Sequence, residues 1–256
     1  MKRILSAIAA LAVMTSCTNQ QKILVLYYSQ TGATRTVAES ISTQLGADIC
    51  SFDVEETYDG DFNQTIARCQ QEQASGFIPT LKPLSVDVAG YDVIFLGYPV
   101  WFGTYAPVVA ALVKNEQFKG KTVVPFCTFG SGGLNTSSAD LEKALPHAKI
   151  AQGYGVRNAR VDKAPAEIAR FLVRNGYLKG EPVNLPDYSQ QIPVTETETA
   201  VFNEACSDYQ FPLGIPQTYG ARPTPWGTEY LFKVQNGTTI YVTVTEGKAE
   251  FTQVVR

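Results

Sequence analysis

Histidine is nearly absent from this chain: His147 is the single one in 256 residues. That excludes most imidazole-based metal sites and leaves little acid–base chemistry to a histidine. His147 lies between Pro146 and Ala148 at the end of a helical pattern, a setting that suits a surface or capping residue. Cysteine occurs five times, yet no CxxC pair and no zinc-ligand spacing is present, so no metal site is expected. A basic stripe is missing as well. Lys and Arg together number 21 against 24 Asp and Glu, a net charge of −3, which argues against nucleic-acid binding. What is abundant is apolar: 45% hydrophobic and 18% charged residues support a packed core rather than disorder. The length allows one large domain, or a medium and a small one.

The amino terminus carries the first positive signal. Met1-Lys2-Arg3 is basic, Ile4 to Met14 is apolar but for Ser6, and the small residues Thr15 and Ser16 precede Cys17. The apolar run is too short to span a bilayer as a stable helix and has the layout of a secretory signal peptide. A cysteine directly after Ser16 resembles the lipobox of bacterial lipoproteins. The resemblance implies a signal peptide over residues 1–16, lipid on Cys17, and a short polar tether over 17–21. It also implies a lipid-anchored protein of the bacterial cell envelope, periplasmic or surface-facing. An ordinary signal peptide with a chance cysteine is the alternative. Loss of Lys2 and Arg3 with the signal peptide takes the net charge from −3 to −5. Of the other thiols, Cys50, Cys69, Cys127 and Cys206, a pair could be bridged in an oxidising compartment, but spacing does not choose it. Cys127 sits in an apolar strand pattern and reads as a buried small hydrophobe.

From Lys22 onward, short β-rich runs alternate with helical segments. Strands are expected at Ile23 to Tyr28, Asp48 to Val54, Asp92 to Gly97, Thr122 to Thr128 and, more weakly, Lys149 to Gly155. Helices are expected at Ala33 to Leu45, Asp61 to Ala74, Pro107 to Lys114, Ser138 to Leu145 and Ala164 to Asn175, the last stopped by Gly176. Five strand-then-helix units predict a five-stranded parallel sheet with helices on both faces, over residues 22–178. A proline-bearing linker follows over 179–193. Residues 194–256 read as a small α+β domain of unknown role, with a helix over Thr195 to Tyr209 and strands at Glu229 to Val234, Thr238 to Thr245 and Ala249 to Val255. Asn236-Gly237 and Glu246-Gly247 fall where hairpin turns belong.

Three loops carry the chemistry, each at the carboxyl end of a predicted strand, where open α/β sheets bind ligands. The first is Ser29-Gln30-Thr31-Gly32-Ala33-Thr34. Its hydroxyls can donate to phosphate oxygens, Gly32 permits the turn, and the helix start offers backbone N–H groups. No lysine or arginine precedes Arg35, so the cradle suits a monophosphate better than a triphosphate with magnesium. The bland reading is a capped strand-to-helix turn. The second loop, Gly97 to Gly103, contains Tyr98, Pro99, Val100, Trp101 and Phe102 and can bury a flat ring. The third is Thr128-Phe129-Gly130-Ser131-Gly132-Gly133, whose glycines let backbone approach a ring edge.

Ser29-x-Thr31-Gly32-x-Thr34 after an apolar first strand resembles the FMN phosphate loop of the flavodoxin family. The five-unit order from about Lys22 to Gly176 agrees, and the chain is similar to short-chain members, with no large insertion in the Lys149 to Gly155 strand. The resemblance implies FMN as cofactor. Residues 29–34 would hold its phosphate, Trp101 would stack on the isoalloxazine with Pro99, Val100, Phe102 and Gly103 around it, and 128–133 would meet the ring edge. Chemistry would then be the flavin's own. No catalytic side chain stands out, and Tyr105 is only within conceivable reach of a substrate. Carrier flavodoxins are strongly acidic around the flavin. This chain is only mildly acidic and places Arg157, Arg160 and Lys163 just after the fifth strand. The expectation is therefore an FMN-dependent oxidoreductase passing electrons to a small, quinone-like acceptor. An electron carrier to a membrane partner and a non-catalytic binding module are the alternatives.

Overall fold

The computed structural model describes residues 21–59, 61–114 and 116–255. The expected signal peptide and the proposed lipid site at Cys17 lie outside them. Strand β1 (Ile23–Tyr27) pairs in parallel with β2 (Asp48–Ser51) on one side and β3 (Val93–Trp101) on the other. Strand β3 pairs with β5 (Thr122–Phe129), which carries the fifth strand as two pieces, β6 (Lys149–Ile150) and β7 (Tyr154–Arg157). The order β2-β1-β3-β5-β6 reverses between β1 and β3 and places the crossover helices on both faces. This is the five-position parallel sheet expected from the strand–helix alternation.

The apolar runs are continuous because both faces of the sheet are covered. Leu24, Leu26, Ile94, Leu96 and Tyr98 enter one core, with helices α3 (Pro107–Val113) and α4 (Leu134–Ala144). Val25, Val93, Phe95, Val124 and Phe126 enter the other, with α1 (Ala33–Leu45) and α5 (Ala164–Arg174). Helix α2 (Phe62–Ser75) joins the first core through Cys69. Gly97 in β3 faces Phe126 in β5, and a Cβ there would lie 2.1 Å from the Phe126 ring. A side chain at this position is excluded by the packing of its neighbour.

Several boundaries differ from expectation. The fifth strand is broken at Ala151–Gly153 because Pro125 in β5 has no N–H to offer a ladder there. Four residues advance from Ile150 to Tyr154 while three advance from Val123 to Phe126, the count of a bulge. Strand β3 runs past Gly97 to Trp101 and turns through Phe102-Gly103 into β4 (Thr104–Tyr105), so the second loop is a hairpin. Helix α4 begins a turn earlier than expected, at Leu134, directly off Gly133.

At the opposite end of the sheet, the Lys22 amide donates to Asp92 Oδ2 at 2.8 Å and its carbonyl accepts from Asp92 N. The chain thus joins the sheet at the amino end of β1.

The carboxyl-terminal unit is a second sheet, antiparallel, in the order β12-β11-β10-β9-β8. Its strands are β8 (Ile192–Pro193), β9 (Pro216–Thr224), β10 (Gly227–Val234), β11 (Thr239–Thr245) and β12 (Lys248–Val255). Helix α6 (Glu196–Ala205) packs Phe202 and Ala205 on Phe232, Ile240 and Phe251, and starts at a capping box between Thr195 and Glu198. It ends four residues short of the expected Tyr209. Strand β9 was not foreseen, because Pro216 and Pro223 argue against a strand. It tolerates them because β8 covers it only at Thr218 and Tyr219, leaving the proline nitrogens facing no partner.

The two units meet through buried charge. Arg157, 4% exposed at the end of β7, donates to the Gly130 carbonyl at 2.9 Å and the Phe251 carbonyl at 3.0 Å. It also pairs with Asp208 at 3.2 Å and lies over the Phe251 ring. Arg160 pairs with Glu167 of α5 and with Glu250 of β12. The charges of Arg157 and Arg160 are therefore spent inside the molecule and do not face a docking partner, contrary to the expectation drawn from their place after the fifth strand.

Candidate functional site

The first loop leaves β1 and enters α1 at Gly32, whose φ of 95° is open to glycine and disfavoured for other residues. No side chain caps this helix. The amides of Ala33, Thr34 and Arg35 have no hydrogen-bond partner among the described residues, the first intrahelical bond being Thr36 N to the Gly32 carbonyl. Three donors at the positive end of a helix dipole are a ready seat for an anion. Thr31 is exposed, and Ser29 Oγ is half-buried and accepts from Gly32 N at 3.2 Å, which leaves its own hydrogen to give. Thr34 and Thr128 take another part. Both are buried and their hydroxyls bond to each other at 2.9 Å, tying the first loop to the end of β5.

The second loop is the β3–β4 hairpin. Phe102 (φ 52°) and Gly103 (φ 82°) both adopt positive φ, as a two-residue hairpin turn of the primed type requires. Phe102 is half exposed, with a large apolar ring held outward in a conformation that costs an L-residue about 1–2 kcal/mol. Trp101 is partly buried. Tyr28 meets it edge-on with ring centroids 6.0 Å apart, and Tyr58 does the same at 5.3 Å. Both tyrosines are pushed upward in pKa, Tyr28 by burial and then Asp53, Tyr58 by burial and then its hydrogen bond to Glu72. They stay neutral, so the aromatic wall carries no charge of its own.

The third loop follows β5. Phe129 is buried and packs against Gly155, so its ring belongs to the core. Gly130 to Gly133 are the accessible part. A Cβ on Gly133 would lie 2.6 Å from Val100 Cγ1 and 3.4 Å from the Gly103 carbonyl, so the second and third loops touch here. Helix α4 starts from Gly133 without a side-chain cap, as α1 does from Gly32. The structure thus gathers the expected residues into one place at the carboxyl ends of β1, β3 and β5. Gln30, Thr31, Pro99, Val100, Trp101, Phe102, Gly103 and Gly130–Gly133 line it, while Thr34, Thr128 and Phe129 frame it from behind.

One wall was missed. The segment after β2 reaches the same end of the sheet: Gln30 Nε2 donates to the Tyr58 carbonyl and to Thr65 Oγ1, both at 2.8 Å. Arg68 lies 3.8 Å over the Tyr58 ring and bonds Glu72 at 2.8 Å. The residue types gave no motif, but topology did give a signal, since the loop after β2 opens on the same edge as the other three. His147 is exposed and away from these loops in the fold, at the end of α4. All four described cysteines are free thiols; Cys50, Cys69 and Cys127 are buried, and burial pushes Cys69 up to about 11.

A seat of backbone amides and hydroxyls without a lysine, next to a neutral aromatic wall, can hold a monophosphate and a flat heterocycle together. The comparisons agree with that shape. Residues 22–168 match the family model described as Flavodoxin. A structure from Bacteroides uniformis, assigned as a flavoprotein, is 25% identical with a TM-score of 0.52, covering 58% of this chain and 98% of its own. One from Bacteroides eggerthii, likewise assigned, is 29% identical over 58% of this chain and 98% of its own, with a TM-score of 0.49. A flavoprotein from Lactobacillus acidophilus, solved in complex with FMN, is 26% identical over 56% of this chain and 97% of its own, with a TM-score of 0.47. No curated protein matches the sequence. Residues 169–256, including the whole antiparallel sheet, fall outside the family match.

Proposed function

The chain belongs to the flavodoxin family, and from that premise we propose that it binds FMN and passes electrons between the flavin and a small acceptor. The observation that carries the reading is the uncapped start of α1, with three unpartnered amides and the Ser29 and Thr31 hydroxyls around them. FMN supplies reversible electron transfer at its ring; the protein's part is to seat the phosphate, stack the ring and exclude water. Trp101 is packed against Tyr28 and Tyr58 in T-shaped pairs, so its position is set before any ligand arrives. Phe102, next in the chain, keeps half of its ring exposed beside it.

The test is an absorbance and fluorescence titration of the purified mature chain with FMN. Saturable quenching at micromolar FMN or below is expected. No binding at saturating FMN would leave the loops as a shape without a ligand and return the lead to a non-catalytic binding module.

One observation favours the carrier alternative. Glu55, Glu56, Asp59 and Asp61 are all exposed around Tyr58, and the arginines that argued against an acidic docking face are paired internally. A basic protein partner fits that rim. Turnover of a quinone or dye supports the oxidoreductase. Fast one-electron exchange with a basic protein, and poor turnover of small acceptors, supports the carrier.

Attachment by lipid at Cys17 completes the proposal and puts the protein in the cell envelope. It rests on the order of basic, apolar and small residues before Cys17. The intact mass of protein from the membrane fraction should lack residues 1–16 and carry acyl chains; an unmodified, uncleaved chain would refute it.

A further inference from the structure

We infer that the carboxyl-terminal domain is a working part of the flavin site, because it fixes the third loop in place; this rests on the FMN reading above. Three contacts converge on residues 130–132. Arg157 gives one hydrogen bond to the Gly130 carbonyl and another to the Phe251 carbonyl, so one buried guanidinium holds the loop and β12 together. The Val254 amide of β12 donates to the Ser131 carbonyl at 2.6 Å. A Cβ on Gly132 would lie 2.4 Å from the Val254 carbonyl, so the two backbones are in direct contact and only glycine fits between them.

Each contact uses a group that would otherwise lack a partner. Arg157 is 4% exposed, and its only carboxylate partner among the described residues is Asp208, itself from the carboxyl-terminal unit. Without that unit the guanidinium would lose Asp208 and the Phe251 carbonyl together. The loop would lose both the Val254 donor and the wall against which Gly132 rests. A glycine-rich loop freed in this way has many conformations to lose on binding a ring. Held from behind, it meets the flavin already ordered, which is how preorganisation raises affinity. Arg157 and Val254 are therefore positioning residues, acting on the flavin only through the loop. The same contacts explain why a domain outside the family match is docked at the ligand end of the sheet.

The experiment uses the full mature chain with two substitutions made separately, Val254→Pro and Asp208→Asn. Val254 N points to Ser131, so proline removes that donor. Asp208 is about half exposed at its side chain, so its change disturbs the core little. Backbone 15N order parameters of residues 130–133 are measured in the flavin-free protein, and FMN affinity and midpoint potential in the loaded one. Loop order parameters falling from a rigid value of about 0.85 toward about 0.6, FMN binding about tenfold weaker and a shifted potential are expected for Val254→Pro, with smaller changes of the same sign for Asp208→Asn. Unchanged order parameters in both variants would overturn the inference even if FMN binds well. A looser loop with unaltered affinity and potential would overturn it too, since the loop's order would then not matter to the flavin. A wild-type chain that shows a rigid loop but no FMN binding would sink the FMN reading itself, and this role with it. The order parameters report on the loop alone, so the two failures are told apart.

Discussion

At the scale of single residues, the most informative position is Phe102. A left-handed aromatic residue, half exposed and belonging to none of the buried core clusters, is a local cost. Asparagine adopts that backbone more easily, and Asn-Gly is the favoured pair for a primed two-residue turn. Phe102→Asn should stabilise the flavin-free protein by about 1 kcal/mol and weaken FMN binding. Denaturant unfolding and FMN titration of the same sample check both. A variant that is less stable, or that binds FMN as tightly as before, would mean that the strain at Phe102 has nothing to do with the ligand. Such a pairing of local strain with a binding place was visible in the sequence only in part. Trp101-Phe102-Gly103 marked an aromatic loop, yet nothing in the residue types said that the strand would continue to Trp101 and turn tightly there. Hairpin pairing with Thr104 and Tyr105 decides that, and Tyr105 joins the packing around Tyr98.

Among secondary-structure elements, legibility followed burial. Strands β1, β3 and β5 are covered on both faces, so their sequences are unbroken apolar runs and were readable. Helix α5 was readable for the complementary reason: Ile168 and Leu172 face the core one turn apart, with Arg170 and Arg174 between them and beyond. Less readable were elements defined by a neighbour. Strand β9 exists because β10 pairs along its whole length, and that pairing outweighs two prolines. The gap between β6 and β7 exists because of Pro125 in a different strand. The early start of α4 escaped notice because the usual signal is a capping side chain, and here there is none. That omission is instructive: α1 and α4, the two helices that begin at the candidate site, both start from a glycine at positive φ and leave their first amides without a side-chain cap. Where two helices start side by side from glycines with no side-chain cap, a ligand is the economical explanation.

For the whole molecule, the joint between the two units should depend on acid. Burial by itself would raise the pKa of Glu250, but hydrogen bonds from Lys248 and Arg160 outweigh it and hold the carboxyl below its ordinary 4.5. A carboxylate depressed by folding adds stability above its unfolded value, and that contribution is lost as pH falls through the folded one. The Arg160–Glu250 link between β7's end and β12 is therefore in force above about pH 4.5 and fades below it. Thermal unfolding followed by domain-resolved hydrogen exchange should give one joint transition at neutral pH and earlier separation of the antiparallel sheet below pH 4.5. Glu250→Gln should show the early separation at every pH. If acid leaves the joint transition intact, the link carries no weight.

The anchoring of Lys22 to Asp92 has a consequence for reach and orientation. The polypeptide meets the sheet at its amino pole, and the ligand loops lie at the carboxyl pole, a strand's length of roughly 15 Å away. A lipid five residues upstream, on a leash of at most about 17 Å, would moor the protein by its far side, like a buoy with its lamp uppermost. The flavin place would then look away from the bilayer. Electrons would be exchanged with whatever diffuses through the surrounding water, and a reactant dissolved in the membrane would have to leave it first.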